Sequence, residues 1–365
     1  MHLAVDAIGI KHSGGAAVLS GFLGAALENP RVTRVTVFCS PASERGFILP
    51  VSPKLQSIEQ PLAERSYLAR ILWFQVVLGY KCMKISADVL ICMVGCGRVR
   101  SRPSCVTFIQ QSLPFSREAL ECYGIGKRLQ LIILKELMRS SCTEAKLILV
   151  QTPTMKRCVS EQFKIPNDKI DVVLPGVNYE RNSPAGKMVG RTNQGVDSII
   201  LYVGNDGPYK NIKTILEGMT LLRKMVPGVT LQGTWPADHP YCKHSGVKSL
   251  GFLPPDRLVE IYQRATILVM PSLVETVGLP MLEAMSIGVP VLAADRPYAH
   301  DVCEDAALYF DPLASEDFAR KAHYLLSNDE LRRRLIEKGK MLMGRRMQEA
   351  PYARMVDMVL ESASS

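Results

Sequence analysis

Short hydrophobic runs alternate with helical patterns along the whole chain. In the first half the runs are almost continuously apolar, which is typical of parallel strands covered on both faces. These candidate strands span residues 2–8, 34–39, 88–93, 104–109, 147–151 and 170–174. A polar stretch rich in turn-forming residues follows at 181–197 and is typical of a linker.

The alternation then resumes in the second half. The segment at 210–226 places its apolar side chains on one face, as an amphipathic helix requires. Further candidate helices span 255–264 and 279–287, and candidate strands span 198–203, 229–233, 247–250, 266–270 and 289–293. This repetition predicts an α/β protein with two doubly wound parallel-sheet domains.

The predicted domain organisation follows from these patterns. We expect an N-terminal Rossmann-like domain at 1–180, the linker at 181–197, a C-terminal Rossmann-like domain at 198–346 and a further helix at 347–365. Ligands bind beyond the carboxyl ends of the strands in such sheets. Two domains that face one another would therefore enclose a central cleft.

Charge is divided unevenly between the two halves of the 365-residue chain. Residues 1–180 hold 22 basic and 14 acidic side chains, whereas the rest is nearly balanced. An apolar helix at 71–80 with basic flanks and a mixed segment at 127–139 favour an anionic membrane surface as a partner. For each segment, the alternative is a packed helix with solvated ends. Aromatic residues do not alternate with the basic ones, so nucleic acid is not an expected partner.

The ten cysteines form no CxxC pair, which is typical of reduced thiols in a cytoplasmic protein. We recognise no signal peptide, and no apolar run reaches the ~18 residues that a membrane-spanning helix needs. We therefore expect a cytoplasmic protein attached peripherally to the cytoplasmic face of a membrane. No motif has metal-ligand spacing, so no metal site is predicted. The sequence does not indicate an oligomeric state.

Three loops between a strand and a helix carry the candidate chemistry. In the first, Gly14 and Gly15 would let backbone amides approach an anionic group, and His12 lies beside them. An ordinary tight turn explains the two glycines equally well. In the second, Lys210 stands where a helix is predicted to start, although the helix dipole disfavours a cation there. A bound phosphate would be attracted both by Lys210 and by the start of the helix. The alternative is an ordinary surface lysine.

The third loop holds Glu275, and Glu283 follows in the first turns of the next predicted helix. Carboxylates accept paired hydrogen bonds from neighbouring hydroxyls, such as those of ribose and hexoses. The backbone amides of Thr276, Val277, Gly278 and Leu279 lie at the predicted helix start, where they could hold a diphosphate.

This loop resembles the retaining nucleotide-sugar glycosyltransferases of the GT4 family, which have the two-domain GT-B architecture. The resemblance is carried by Pro271-Ser272-x-x-Glu275-x-x-Gly278-x-Pro280-x-x-Glu283, by Gly204 and Lys210, and by Gly288-x-Pro290. In the first domain it is weaker. It also implies that the segment 347–365 crosses back to the first domain, as the tails of family members often do.

The resemblance implies a role for each site residue. Glu283 would bind the ribose of the donor nucleotide, Glu275 would lie beside the transferred sugar, and Lys210 would bind the diphosphate. The remaining implied contacts are Gly14, Gly15, Gly204 and Asn205 near the diphosphate, the amides of Thr276, Val277, Gly278 and Leu279 on phosphate or sugar, and Phe252 and Leu253 at the nucleobase.

This chain departs from the family pattern in two places. Asn205 stands where many members have an arginine, so more of the diphosphate charge would fall on Lys210. Gln110 and Gln111 lie where many members have a histidine near the transferred sugar. A glutamine can donate a hydrogen bond to a sugar hydroxyl but cannot act as an acid or base at neutral pH. His12, Gln110 and Gln111 are therefore candidate sugar or acceptor contacts.

The implied activity is transfer of a hexosyl group from a nucleotide-diphosphate sugar to a glycan or lipid-linked acceptor, with retention and without a metal or further cofactor. GDP-mannose is the favoured donor, and cell-surface polysaccharide or lipopolysaccharide biosynthesis is the expected setting. The alternatives are a non-catalytic nucleotide-sugar-binding or scaffolding protein, an inverting GT-B transferase and a sugar-nucleotide epimerase. A nicotinamide-dependent dehydrogenase is disfavoured, because no GxGxxG follows the first strand.

Overall fold

In the computed structural model of this chain, residues 1–11, 13–44, 46–99, 103–177 and 198–364 are described. The predicted linker at 181–197 and His12 lie outside these ranges. The chain divides into two compact units, one formed by Met1–Gly176 with Glu349–Ser365 and the other by Val177–Gln348.

A seven-stranded parallel sheet forms the centre of the first unit, in the order β3-β2-β1-β4-β5-β6-β7. Its strands are β1 (His2–Ala7), β2 (Arg34–Cys39), β3 (Leu55–Glu59), β4 (Val89–Cys92), β5 (Ser104–Ile109), β6 (Leu147–Val150) and β7 (Ile170–Val172). The strands β1 and β4 are adjacent, with Leu3 opposite Val89. All described residues of both strands are buried, as their unbroken apolar sequences predict.

Helices connect these strands. They are α1 (Ser13–Glu28), α2 (Pro61–Glu64), α3 (Tyr67–Leu72), α4 (Leu78–Lys84), α5 (Arg117–Glu121), α6 (Ile125–Glu144) and α7 (Pro153–Phe163). A π-helical segment, Trp73–Val77, joins α3 to α4. The helix α14 (Pro351–Ser364) also belongs to this unit and packs on α1, β4 and β5. Gly21 in α1 gives room to the Tyr352 ring, because a Cβ there would lie 2.3 Å from Tyr352 Cε2.

The second unit has a six-stranded parallel sheet in the order β10-β9-β8-β11-β12-β13. Its strands are β8 (Ile199–Tyr202), β9 (Thr230–Gly233), β10 (Val247–Ser249), β11 (Ile267–Met270), β12 (Val291–Ala294) and β13 (Ala307–Phe310). Its helices are α8 (Ile212–Met225), α9 (Pro255–Arg264), α10 (Leu279–Ile287), α11 (Pro297–Cys303), α12 (Ser315–Ser327) and α13 (Asp329–Gln348).

Both sheets confirm the predicted doubly wound α/β class. The apolar stripe of α8 faces the core, where Ile215, Met219 and Leu222 are buried. The ten cysteines are free thiols, and seven of them are buried. No helix among the described residues is both long and apolar enough to cross a bilayer.

Candidate functional site

The predicted chemistry of the second unit lies at the point where the strand order of its sheet reverses. The strands β8 and β11 are neighbours in the sheet, but their connections lead to opposite sides of it. Loops that follow two such strands diverge and leave a crevice at the carboxyl edge, where doubly wound sheets bind ligands. The loop after β8 carries Lys210, and the loop after β11 carries Glu275.

One backbone hydrogen bond joins the two loops, and two side-chain hydrogen bonds fix them to other segments. The N–H of Leu273 donates to the carbonyl of Tyr209 at 2.8 Å. The side-chain amide of Asn211 donates to the carbonyl of Pro312 at 2.6 Å, which fixes the turn that follows Lys210. The buried Tyr298 hydroxyl donates to the carbonyl of Ser272 at 2.8 Å. These contacts come from segments distant in sequence, so the loops have a defined position before any ligand arrives.

Lys210 and Glu275 form a direct ion pair, with 2.6 Å between Nζ and Oε1. Lys210 is only 8% exposed and lies in a one-turn helix, Pro208–Lys210, whereas α8 begins at Ile212. The prediction that Lys210 starts the long helix was therefore wrong by two residues. Asn211 separates the two with a left-handed φ of 55°, which stops the short turn from continuing into α8.

Burial disfavours the charged form of Lys210. The Glu275 carboxylate and the nearby Tyr202 and Tyr209 outweigh this effect, so the pKa of Lys210 is raised above its ordinary value. The side chain is therefore a fixed positive charge at any physiological pH. An ammonium group has three N–H donors, and the bond to Glu275 does not exhaust them.

The helix α10 begins directly after this pair. Gly278 precedes it with a φ of 76°, in the left-handed region that favours glycine. A Cβ at this position would lie 2.9 Å from Met281 Cε and 3.0 Å from Met270 Cε. The first amides of a helix have no partner within the helix and carry partial positive charge. The site thus combines one ammonium group with an anion-binding helix start.

Glu283 lies in the second turn of α10 and is held by a tyrosine. The hydroxyl of Tyr262, which is fully buried in α9, donates to Glu283 Oε2 at 2.6 Å. Sequence reasoning missed Tyr262. Its spacing of four residues from Leu258 on an amphipathic helix indicates an inward position, but no sequence signal identifies its partner.

The other predicted residues of the second unit differ in exposure. Gly204 donates its N–H to Thr234 Oγ1 at 2.9 Å, and the Asn205 side chain is exposed and accepts from the N–H of Gly207 at 3.0 Å. Phe252 is exposed on the loop after β10, and Leu253 is half-buried. An exposed phenyl ring is available to stack on a base, so the predicted nucleobase contact stays a prediction.

The predicted residues of the first unit lie near the carboxyl edge of their own sheet. Gly14 and Gly15 lie in the first turn of α1 and are half-buried. Gln110 donates its amide to the carbonyl of Met93 at 2.6 Å, whereas Gln111 is exposed. The anchored Gln110 amide has less capacity for a sugar than the sequence suggests. His12 lies outside the described residues. The roles of these residues stay predictions.

Across the described ranges, no three His, Cys, Asp or Glu side chains come together as a metal site requires. The chemistry that this arrangement supports is electrostatic: it has a buried ammonium group, a helix start and two carboxylates that can accept hydrogen bonds from hydroxyl groups.

Comparison with known proteins gives matches to much of this unit. Residues 191–341 match the family model "Glycosyl transferases group 1". O-antigen chain mannosyltransferase B of Escherichia coli is 29% identical over 209 residues, 53% of this chain and 54% of that protein. A D-inositol 3-phosphate glycosyltransferase of Nocardia farcinica is 30% identical over 172 residues, 42% of this chain and 38% of that protein. The chain thus spans about half or less of the length of these relatives.

The fold has a counterpart in solved structures. WaaG, a glycosyltransferase involved in lipopolysaccharide biosynthesis, superposes with a TM-score of 0.78 over 98% of this chain and 99% of its own, at 16% identity. At that identity the likeness shows the fold, and the predicted GT-B class is confirmed. The match of residues 191–341 to the group 1 glycosyltransferase model confirms, over this segment, the resemblance that the sequence motifs predicted.

Proposed function

We propose that the chain is a retaining glycosyltransferase that moves a hexosyl group from a nucleotide-diphosphate sugar to a glycan or lipid-linked acceptor. The observation that carries the proposal is the buried Lys210–Glu275 pair beside the start of α10. A cation and a helix start suit a diphosphate, and the adjacent carboxylate suits sugar hydroxyls. The family match over residues 191–341 supports the same activity.

In this proposal Lys210 and the amides at the start of α10 stabilise the leaving nucleoside diphosphate. The bond between the anomeric carbon and the diphosphate oxygen breaks, and the acceptor hydroxyl forms the new bond on the same face of the sugar. The acceptor proton passes to the departing phosphate oxygen, so no protein base is required. The proposal includes no metal ion, because Lys210 and the helix amides balance the charge of the diphosphate. Glu275 orients the sugar and stabilises the positive charge that develops on its ring.

Glu283 is proposed to bind the ribose. Its hydrogen bond from Tyr262 fixes the carboxylate, so one oxygen is oriented before the nucleotide arrives. Preorganisation of this kind lowers the entropic cost of binding. The proposed donor is GDP-mannose, and its support is the name of a relative, the E. coli O-antigen chain mannosyltransferase. The same relative supports a lipid-linked or glycan acceptor in cell-surface polysaccharide synthesis.

The test begins with thermal unfolding of the purified chain with GDP, UDP, ADP and their sugar conjugates, without added metal. A ligand at 100 times its Kd adds about 2.7 kcal/mol to the free energy of unfolding. We expect GDP and GDP-mannose to raise the Tm, and Glu283→Ala to abolish the shift. The exposed Glu337 in α13 provides the matched control, and Glu337→Ala should retain the full shift.

A second candidate is a non-catalytic nucleotide-sugar-binding protein. It is favoured by Asn205, where many family members have an arginine, and by Gln110 and Gln111, which lie where many members have a histidine. Release of nucleoside diphosphate from the donor in the presence of a lipid-linked glycan distinguishes the two. Donor-dependent release that Lys210→Ala removes supports the transferase. Binding without release supports the second candidate, and no response to any nucleotide contradicts both.

A further inference from the structure

The helical segment Tyr67–Lys84 of the first unit is apolar on its solvent side as well as on its core side. Trp73, Phe74, Leu78 and Cys82 are buried in the core. The opposite side exposes apolar side chains at intervals of three or four residues, and Leu68 is 77% exposed. These exposed side chains are Leu68, Leu72, Val76, Tyr80 and Met83. A surface helix of a water-soluble domain normally presents polar residues there.

The helix α6 repeats this feature. Leu131, Met138 and Cys142 are buried, whereas its first half exposes Ile125, Leu129, Ile132 and Ile133. Ile125 is 86% exposed. The hydroxyl of Tyr67 donates to the carbonyl of Gln130 at 3.2 Å and so links α3 to this half of α6.

We name the nine exposed side chains of both helices the apolar face. Its members are Leu68, Leu72, Val76, Tyr80, Met83, Ile125, Leu129, Ile132 and Ile133. Large apolar side chains grouped on one surface, with a polar rim, mark an interaction site.

The two segments that carry the apolar face have an excess of positive charge that ion pairs do not neutralise. Segments 61–84 and 125–144 contain eight basic and three acidic residues. Each acid is paired with an arginine: Glu64 with Arg70, Glu136 with Arg139, and Glu144 with Arg98.

Among the described residues, six of the eight basic side chains have no carboxylate partner, and two of these six, Arg128 and Lys135, donate to uncharged oxygen atoms instead. Within the described ranges, Arg65, Lys81, Lys84 and Lys127 have no carboxylate within 4.0 Å, and three of them are exposed. The rim of the apolar face thus carries uncompensated positive charge.

We propose that the apolar face docks on an anionic bilayer surface. Exposed leucine and isoleucine side chains enter the interface, and the unpaired Lys and Arg side chains meet the lipid headgroups. A second copy of this chain would bring a second positive rim against the first, whereas anionic lipid neutralises it. The binding involves none of the proposed donor-binding residues, so it stands whether or not the proposed glycosyl transfer is correct.

The test is flotation of the full chain with vesicles of phosphatidylcholine alone and of phosphatidylcholine mixed with phosphatidylglycerol, without nucleotide or acceptor. We expect binding to the mixed vesicles, weak binding to phosphatidylcholine alone, and release as the salt concentration rises. Each basic side chain near an anionic surface contributes about fivefold to the partition coefficient. Lys81→Gln with Lys84→Gln should therefore lower it about 25-fold.

Leu68→Asp with Leu129→Asp should lower partition by about tenfold or more, because the two leucines lose their place in the interface. Met341 in α13 of the second unit is 76% exposed and provides the matched control, since Met341→Asp should leave partition unchanged. An unchanged thermal midpoint shows that each variant is folded.

Three results would overturn the proposal. The first is the absence of binding to the mixed vesicles. The second is equal partition of the Leu68→Asp and Leu129→Asp double variant and the Met341→Asp control. The third is a wild-type chain that is dimeric in solution and becomes monomeric with Leu68→Asp, since the apolar face would then be covered by a second copy.

Discussion

Each unit has a buried charged side chain in an ion-paired cluster near the carboxyl end of its first strand, but the charges are balanced differently. In the first unit the Glu64 side chain, 2% exposed, pairs with Arg70 and with Lys11 at 3.3 Å. It also accepts a hydrogen bond from Ser40 at 2.7 Å. In the second unit Lys210 and Glu275 pair one to one.

The two clusters differ in how much hydrogen-bonding capacity is left for a ligand. Burial raises the pKa of Glu64, but the Ser40 hydroxyl and the Arg70 and Lys11 cations outweigh it, so the pKa is lowered. That carboxylate is already surrounded by donors and has little capacity for a ligand. Lys210 retains donor capacity and lies next to a helix start, so the second cluster is the one suited to bind an anion.

The largest effect is expected for Lys210→Ala, which removes the cation of the second cluster. Loss of one preorganised donor to a leaving group lowers turnover about 10²–10³-fold. The uncompensated Glu275 should also reduce the free energy of unfolding by about 3–5 kcal/mol. Steady-state kinetics and thermal unfolding measure the two effects. The exposed Lys224 in α8 is the control, and Lys224→Ala should change neither. If Glu64→Gln lowers turnover as much as Lys210→Ala, the first cluster also acts in catalysis and the comparison fails.

A second buried carboxyl group in the first unit has much weaker compensation. Asp6 is fully buried in β1, and Trp73 Nε1 donates to its Oδ1 at 3.0 Å. Its Oδ2 has no hydrogen-bond partner among the described residues. Burial raises the pKa of Asp6 to about 7, and the Trp73 hydrogen bond opposes this only in part.

This pKa makes the stability of the chain depend on pH. An unfolded aspartate loses its proton near pH 4, whereas folded Asp6 keeps it until about pH 7. The free energy of unfolding should therefore fall as the pH rises from about 4 to about 7, by about 4 kcal/mol in total. Asp6→Asn keeps the acceptor for Trp73 and should remove this slope in denaturant unfolding. An unchanged slope would assign the pH dependence to another group.

Gly278→Ala tests whether the second cluster depends on the backbone geometry at the start of α10. The left-handed φ of 76° and the Met281 and Met270 methyl groups oppose a Cβ, so we expect a loss of about 1–3 kcal/mol and weaker diphosphate binding. Gly344 in α13 has no heavy atom within 4 Å of a Cβ. Gly344→Ala should therefore stabilise the chain by up to about 1 kcal/mol. If Gly278→Ala changed neither the free energy of unfolding nor diphosphate binding, α10 would start with another geometry.

Tyr262→Phe should have the smallest effect. It removes the 2.6 Å hydrogen bond to Glu283 but keeps the buried ring. A hydrogen bond to a charged group contributes about 1.5–3 kcal/mol. The nucleotide loses only the part of this that orients the Glu283 carboxylate, so its affinity should fall about tenfold, or about 1.4 kcal/mol, with turnover nearly unchanged. Titration calorimetry measures this. Tyr324 is half exposed in α12, and Tyr324→Phe serves as the control. Equal affinities in both variants would show that Tyr262 does not position the carboxylate.

The sequence predicts the buried parts of the fold well because those strands are continuously apolar. It misses β3, whose residues Leu55–Glu59 are half-buried or exposed at the sheet edge and include the polar Gln56, Ser57 and Glu59. An edge strand has one neighbour and needs no unbroken apolar run. The sequence also misses β13, which is an edge strand of the second sheet and whose Leu308 and Tyr309 are only half-buried.

The site was predicted in part. The motif around Glu275 and Glu283 identifies both carboxylates, but the contact between Lys210 and Glu275 joins residues 65 positions apart. No local pattern encodes such a pair. It depends on β8 and β11 being neighbours in the sheet, a long-range property that spacing along the chain does not reveal.

The position of α14 has a consequence for synthesis. Residues 351–364 pack on α1, β4 and β5, and the Tyr352 hydroxyl donates to the carbonyl of Gly176 at 3.0 Å. The first unit is therefore incomplete while the ribosome makes the second, which takes roughly 10–35 s at about 5–20 residues per second. During that time the surface that α14 later covers is open to solvent and to chaperones. The first unit can therefore complete its packing only after the second unit has been synthesised.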